Sequence, residues 1–227
     1  HTRGMVYVPS LDELWISRAA DNTTGSVYRY EGVSGTSLGG FGTTMANMAG
    51  MVVAGDYIVI SGFFSEYITK IYDLNGTYLA QSGSVSSNKL CWDGAYILAG
   101  SNKEISRYTV SATDVSYFNQ LTSDWTVGSP SAGGIRGIEF FENHIYVLDS
   151  TEQVYKLDSN GVYANFTFSV SNEVGDGQDL VFDGTHFHIY DRDTGYLHAY
   201  TAGGSYVGIE TAETDTSTGL PIFVRIK

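Results

Sequence analysis

The 227-residue sequence predicts an all-β fold: a single β-propeller of five four-stranded blades, followed by an extra C-terminal strand. Three observations support this prediction. The composition, with Gly 27, Tyr 17 and Pro 3, suits short strands and tight turns better than helices. Apolar stretches alternate with turn residues along the chain, and no helical period interrupts them. One strand pattern also recurs roughly every 40 residues.

The first half of the repeat is an apolar strand, a turn and a second apolar strand. It is best preserved in "GIEFFENHIYVLD", where "EN" has the length of a two-residue hairpin turn. One position in the second strand is aliphatic in every copy, which predicts burial in the blade core. The residues at this position are Ile16, Ile60, Leu98, Val147 and Ile189.

The second half of the repeat is another strand pair, as in "VYKLDSNGVYANF". Its recurring position keeps step with the first one along the chain. The residues there are Tyr30, Tyr72, Tyr108, Leu157 and Tyr200. Two positions that recur together, about 40 residues apart with four strands per unit, are typical of propeller blades.

One domain, residues 1–227, accounts for the chain. The blades are expected at about 3–44, 45–85, 86–123, 124–171 and 172–212, and the additional strand at 219–227. Pro221 favours an edge position for that strand. A double-sheet sandwich would have a similar number of strands, but it gives no reason for five repeats with their turns in register.

The stretch "RGIEFFENHIYVLDSTEQVYKLDSNG" resembles the NHL-type propeller repeat, in which a Gly-Ile strand, a hairpin, an "IYV-Asp" strand and a strand ending in Asp-x-x-Gly follow in this order. "KIYDLNGTYL" at 70–79 matches the last part. The resemblance concerns architecture. It implies a scaffold that binds proteins, glycans or RNA or, in relatives, acts as a lactonase or lyase.

Charge and cysteine content exclude several classes of partner. The formal net charge is -13, so the protein is repelled by phosphate backbones and anionic lipids, and neither nucleic acid binding nor membrane insertion is expected. Cys91 is the single cysteine, which excludes an intrachain disulfide and a Cys-based zinc site. Three Asn-x-Ser/Thr sequons agree with an exterior location. They begin at Asn22, Asn75 and Asn165.

Ligand-binding residues are expected where the loops before the first strand and after the second strand of each blade gather around the central channel. Arg3, Lys89 and Arg136 stand at the start of the first strand in three blades, and Asp179 stands there in the fifth. If the cations converge, they suit a carboxylate or an acidic sugar. Otherwise they are solvated or paired with neighbouring carboxylates.

Aromatic residues in the loops are a second set of ligand-binding candidates. Phe63 and Phe64 follow the second strand of blade 2, and Trp125 lies in the long segment before blade 4. These rings would form a platform for a sugar ring or a protein partner, or they would lie beneath the blades.

The densest acidic group is formed by Asp176, Asp191 and Asp193. Oxygen-rich loops bind calcium, but the closing Glu of the usual calcium loop is missing, so the calcium signal is weak and turn formation is the alternative. No other cofactor or metal is expected. His186 and His188 share one face of a strand, where they would hold a metal, act as a base or have a structural role.

No catalytic residue is assigned, because the sequence lacks a G-x-S-x-G elbow, a Walker loop and an H-E-x-x-H motif. A glycosidase needs two carboxylates on the channel wall. The candidates in or beside first strands are Asp93, Glu139, Asp179 and Asp183.

The sequence thus predicts a non-enzymatic binding module, displayed outside the cell or on a particle such as a virion for host attachment. It would bind a glycan or a protein through the loop face of the channel. A propeller glycoside hydrolase or lyase is the first alternative. The second is a structural component of a larger assembly, docked through residues 219–227.

Overall fold

The computed structural model describes residues 2–19, 25–32, 36–43, 45, 48–62, 68–83, 85, 87, 89–129, 132–215 and 220–225. Within these ranges the chain forms five antiparallel β-sheets arranged as a propeller, so the predicted fold class is confirmed. No helix in the described part of the chain is both long and apolar enough to span a membrane.

Each blade takes its strands from one continuous segment, and we call them A to D from the channel outward. Blade 1 contains β1 (Thr2–Val8), β2 (Glu13–Ala19), β3 (Gly25–Glu31) and β4 (Thr36–Thr43). Blade 2 contains β5 (Met48–Ala54), β6 (Tyr57–Gly62), β7 (Thr69–Asp73) and β8 (Tyr78–Ser82). Blade 3 contains β9 (Lys89–Trp92), β10 (Ile97–Ser101), β11 (Glu104–Val110) and β12 (Val115–Thr122). Blade 4 contains β13 (Ile135–Phe141), β14 (His144–Asp149), β15 (Gln153–Asp158) and β16 (Tyr163–Ser169).

Blade 5 carries the predicted extra strand. It contains β17 (Gly177–Phe182), β18 (His186–Asp191), β19 (Leu197–Thr201), β20 (Tyr206–Asp215) and β21 (Leu220–Arg225). β21 pairs with β20 at the outer edge of the sheet, with Pro221 opposite Thr214. An outermost strand tolerates proline because one of its sides has no ladder to complete. β20 runs past the predicted blade end at 212, because its last residues pair with β21.

The ring closes by direct contact between the first and last blades. The A strands β1, β5, β9, β13 and β17 neighbour one another in this order, and β17 also contacts β1. In the part of the chain that the structure describes, no strand is exchanged between blade 1 and blade 5. The closing junction therefore depends on side-chain packing and on hydrogen bonds across the seam.

Both recurring sequence positions lie in the core. The aliphatic position of the second strand, represented by Ile16 and Val147, and the mostly tyrosine position of the third, represented by Tyr72 and Leu157, are at most 4% exposed in every blade. The core is divided into clusters between neighbouring blades. Counting only the described residues, the cluster between blades 5 and 1 has six buried residues, against nine or ten in the others. The closing junction therefore has the fewest buried core residues in this part of the chain.

The turns follow the expected chemistry. Glu142 and Asn143, the predicted two-residue hairpin of blade 4, have φ values of 47° and 60°, which a type I′ turn requires at both positions. Asp73 and Asp158 hold the hairpins between strands C and D of blades 2 and 4, because one carboxylate oxygen of each accepts two backbone N–H groups.

Candidate functional site

The central channel has two ends of different chemistry. We call the end at the start of the A strands the loop end, because the loops between blades and between strands B and C gather there. The end at which the A strands turn into the B strands is called the hairpin end. The described ligand-binding candidates Lys89, Arg136 and Asp179 lie at the loop end.

Lys89 crosses the channel at the loop end. Its side chain is 8% exposed, and its Nζ donates a hydrogen bond of 2.5 Å to the carbonyl oxygen of Gln178. These residues belong to blades 3 and 5, which are not neighbours in the ring. The ammonium group also lowers the pKa of Asp179, against the larger effect of burial, which raises it. The ammonium group of Lys89 therefore interacts with groups of the protein itself.

Arg136 lies close to an acidic residue of its own blade. Its charge lowers the pKa of Glu152, although burial, the larger effect, raises that pKa to about 7. Glu152 accepts a hydrogen bond of 3.1 Å from the backbone N–H of Gly177. Lys89 thus contacts a carbonyl oxygen across the channel, and Arg136 lies near an acidic residue of its own blade.

The remaining loop-end candidates divide into two groups. Phe63, Phe64 and the side chain of Arg3 lie outside the described residues, so their predicted role stays a prediction. Trp125 is 1% exposed, packs 5.4 Å from the ring of Tyr155 and donates its indole N–H to Asn102. It is a core residue between blades 3 and 4. The platform prediction is corrected for Trp125, because burial leaves no ring face for a ligand.

The acidic loop of blade 5 uses its carboxylates to hold the backbone. Asp191 is 1% exposed and accepts backbone N–H groups from Gly175, Asp176 and Asp193. Asp176 forms an ion pair with Arg192. Among the described residues, no three His, Cys, Asp or Glu side chains converge as a metal site. Calcium at this loop stays a prediction.

Two of the predicted channel carboxylates connect neighbouring blades. Asp179 accepts a hydrogen bond of 2.8 Å from the backbone N–H of Met5, across the closing junction. Glu139 accepts one of 3.2 Å from the backbone N–H of Phe182, from blade 4 to blade 5. The channel-facing edge of each A strand has no neighbouring strand in its own sheet, so these carboxylates satisfy N–H groups that the sheets leave unpaired.

Asp179 stands where other blades have glycine. Gly4 and Gly137 occupy the corresponding position, one residue before the core residue that pairs with strand B. A Cβ atom at Gly137 would lie 2.6 Å from the nitrogen of Leu180, so this glycine lets the A strands of blades 4 and 5 approach closely. At the closing junction the Asp179 carboxylate bridges the two strands instead.

The other two candidate carboxylates cap hairpins. Oδ1 of Asp93 accepts the N–H groups of Ala95 and Tyr96, and Asp183 does the same in blade 5. Asp183 also hydrogen-bonds buried His188 over 2.8 Å. Burial alone would raise the pKa of Asp183, but these hydrogen bonds outweigh it and lower the pKa to about 2. His188 therefore has a structural contact in this blade.

A cavity of about 430 Å³ opens at the hairpin end, and all five A strands contribute to it. Its wall is mainly apolar. The aromatic residues that line it are Tyr7, Trp92, Phe140, Phe141 and Phe182. Pro9 and Gly184 lie in the lining just beyond the ends of β1 and β17, which places the opening at this end of the channel.

Glu139 is the acidic group inside the channel wall. Its Oε1 accepts the N–H of Phe140 over 2.9 Å, and its Oε2 accepts the N–H of Phe182. Burial raises the pKa of Glu139 to about 8, with a further increase from the nearby Asp179 charge, against the opposing effect of both hydrogen bonds. Burial also raises the pKa of the Cys91 thiol, so this thiol stays protonated and unreactive.

Sequence reasoning missed the hairpin-end cavity, although a pattern for it exists. Tyr7, Phe140 and Phe182 occupy one repeating position, two residues after the A-strand core residue of their blades. An aromatic residue at the hairpin end of the A strand in three blades indicates a channel lined by aromatic rings. Trp92 comes from a different position, and only the ring geometry brings it beside them.

The sequence matches no protein-family profile and no curated protein at a significant level. Among solved structures, it is similar to a chain in the crystal structure of a nidogen/laminin complex, with a TM-score of 0.54 and 14% sequence identity. The match covers 92% of this chain and 79% of that one. Because the sequences are so different, this similarity shows the propeller fold alone.

Proposed function

We propose that this propeller is a non-enzymatic binding module that takes a side chain of a protein partner into its hairpin-end cavity. The observation that carries the proposal is the cavity itself. All five blades line it, it lies on the ring axis, and its volume of about 430 Å³ falls in the range of pockets that hold small ligands or side chains.

The lining favours a protein group over a sugar. A sugar presents hydroxyls on every side and needs several hydrogen-bonding side chains around it, whereas this wall is mostly aliphatic and aromatic. Interface anchors of proteins are apolar or amphipathic side chains that fill such desolvated pockets. The similar chain from the nidogen/laminin complex belongs to an assembly of two proteins, which agrees with a protein partner for this propeller.

Display outside the cell or on a virion is part of the same proposal. It is supported by the sequons and by the acidic charge. A glycan at the loop end remains the alternative ligand, with Arg136 as the cation that would contact it.

The hydrolase alternative has less support. Glu139 and Asp179 hold backbone N–H groups of neighbouring blades, and Asp93 and Asp183 hold hairpin turns. Each candidate carboxylate therefore has a structural task that explains its position. Glu139 and Asp183 both line the hairpin-end cavity, but its mainly apolar wall offers few hydrogen-bonding side chains for a sugar.

Tryptophan fluorescence tests the proposal. Trp92 lines the cavity, whereas Trp15 and Trp125 are at most 1% exposed, so a ligand in the cavity changes the Trp92 emission. We expect members of a short-peptide library to change this emission saturably in the wild type and to lose the effect in Val53→Phe, which adds volume at the cavity wall. A library without such members, or members that bind Val53→Phe equally well, would contradict the proposal.

A further inference from the structure

Resting on the proposed binding function, we infer that the cavity accepts a primary ammonium group on an apolar stem, presented as a lysine side chain of the partner. Glu139 is the counter-charge for the ammonium group, and the aromatic rim surrounds the stem.

The charges around the cavity favour a cation. Among the described residues that line it, Glu139 and Asp183 are acidic, and none is Lys, Arg or His. The whole protein carries a formal net charge of -13, so its field attracts cationic partners and repels anionic ones. An anionic or strongly polar ligand would find no complementary charge in this wall.

Glu139 has the geometry to receive an ammonium group. Each of its oxygens accepts one backbone N–H, from Phe140 and from Phe182, and these bonds fix the carboxyl orientation. A carboxylate oxygen accepts two hydrogen bonds, so each oxygen retains one acceptor position. The residue also lines the cavity, so a ligand group that enters can reach it.

The rim supplies the second requirement, which is a surface for an apolar stem beside a positive charge. Tyr7, Trp92 and Phe182 come from three different blades and line the same space. Aromatic faces attract ammonium groups, and this attraction strengthens when water is excluded. A wall of rings with the Glu139 carboxyl among them is therefore better matched to a lysine side chain than to a neutral apolar group.

Binding of a cation is coupled to release of a proton. Glu139 is mostly protonated below its pKa of about 8, and an ammonium ligand requires the ionised form. The other titratable groups near this site are Asp179, Cys91, Asp93, Asp183 and Tyr7, with Lys89 beside Asp179 and His188 hydrogen-bonded to Asp183. The pKa of Cys91 and that of Tyr7 are raised and that of Asp183 is lowered to about 2, so these three do not change charge between pH 6 and 8.

The experiment compares three probes by Trp92 fluorescence. Nα-acetyl-lysine methylamide carries the ammonium group, and Nα-acetyl-norleucine methylamide is its neutral analogue. Phenethylamine carries an ammonium group on an aromatic stem without the peptide groups of an amino acid. We expect the lysine probe to bind about tenfold or more tightly than the norleucine probe. From the fraction of ionised Glu139, its affinity should rise about 50-fold from pH 6 to pH 8. The norleucine affinity should not change.

The outcomes separate this inference from the proposed function. Equal binding of the lysine and norleucine probes overturns the cation inference and leaves the cavity as a binding site. A pH-independent lysine affinity also overturns it. Binding of phenethylamine at least tenfold tighter than the lysine probe overturns the assignment to a protein side chain. Absence of binding by all three probes overturns the inference, and the peptide library then decides the proposed function separately.

Three variants localise the effect. Glu139→Gln should abolish the preference for the lysine probe and its pH dependence. This change also affects two backbone hydrogen bonds, so two variants of the aromatic rim serve as second tests. They are Phe182→Leu and Trp92→Phe, and binding to Trp92→Phe is followed by intrinsic tyrosine emission. Phe182→Leu keeps an apolar side chain and should lower the preference for the lysine probe about threefold or more. An unchanged preference in Phe182→Leu contradicts the role of the rim.

Discussion

The two ends of the channel use similar residue types for different purposes. At the loop end, Lys89 reaches from blade 3 to blade 5, and Asp179 bridges blade 5 to blade 1, so these charged side chains hold the ring together. At the hairpin end the aromatic residues leave an open cavity, with Glu139 in its wall. A charged residue in a propeller channel is therefore not by itself a sign of a ligand site. Its contacts across the ring show whether it holds the blades together or is available to a ligand.

The comparison predicts that loop-end changes mainly affect stability, whereas changes to the aromatic wall at the hairpin end mainly affect binding. The largest effect is expected for Asp179→Ala, because this change leaves the Met5 N–H and the Lys89 charge without their carboxylate at the junction with the smallest core. We expect the free energy of unfolding to fall by about 3 to 4 kcal/mol in urea denaturation. Asp73→Ala is the control, because Asp73 accepts two N–H groups in an exposed turn, and it should cost about 1 kcal/mol. Equal effects of the two changes would remove the special role of the closing junction.

The second prediction concerns pH. The pKa of Glu139 is about 8 in the folded protein, above the ordinary value of 4.5. A carboxyl with a raised pKa binds a proton more tightly in the folded state, so its contribution to stability is complete below about pH 4.5 and is lost as the pH rises through about 8. The free energy of unfolding should fall by up to about 3 kcal/mol between pH 5 and pH 8.

Two variants assign this pH dependence to the two ends of the channel. Glu139→Gln should remove most of the slope near pH 8. Glu152→Gln, at the loop end, should remove the part of the slope that ends near its pKa of about 7. If the free energy of unfolding of the wild type is constant from pH 5 to pH 8, ionisation of Glu139 does not destabilise the folded state, and the prediction is contradicted.

A third prediction tests the glycine at the junction of blades 4 and 5. Gly137→Ala places a methyl group against the backbone of Leu180 and should cost about 2 kcal/mol. Gly42→Ala, in strand β4, is the matched control, because no atom lies within 4 Å of its added Cβ. Thermal unfolding of both variants gives the comparison, and a Gly137→Ala protein as stable as Gly42→Ala would mean that the A strands do not need this close approach.

The smallest effect on stability is expected at the hairpin end. Trp92→Leu changes a partly exposed residue of the cavity wall, so the free energy of unfolding should change by less than about 1 kcal/mol. Its affinity for the lysine probe, measured by calorimetry, should nevertheless fall about tenfold. A loss of stability without a loss of affinity would reverse the assignment of the two ends.

The sequence was sufficient for the parts of the fold that repeat. Ile60 and Tyr72 recur in step with their counterparts, and this register is set by local strand and turn chemistry that each blade carries on its own. The contact between Lys89 and Gln178 could not be predicted in this way. It joins two blades that are not neighbours, so it depends on the radius of the ring and on which side chain is long enough to cross it.

The partners of the candidate site residues could not be predicted from the sequence for a similar reason. Arg136 and Lys89 stand at equivalent positions in their blades. This equivalence predicts the end of the channel at which they lie, but it does not predict which groups they contact. The long, irregular segment around Trp125 predicts a loop residue, yet the ring of Trp125 packs in the core beside Tyr155. Burial of a loop residue depends on packing between blades, which one sequence does not contain.

One measurement tests the central claim, which is that the hairpin end binds the ligand and the loop end holds the ring. The indole N–H signals of Trp92 and Trp125 report the two ends, because Trp92 lines the cavity and Trp125 donates to Asn102 in the turn between β10 and β11. In a ¹⁵N-resolved titration with Nα-acetyl-lysine methylamide, Trp92 should shift saturably and Trp125 should stay unchanged. A shift of Trp125 with an unchanged Trp92 would place the ligand at the loop end and contradict the account.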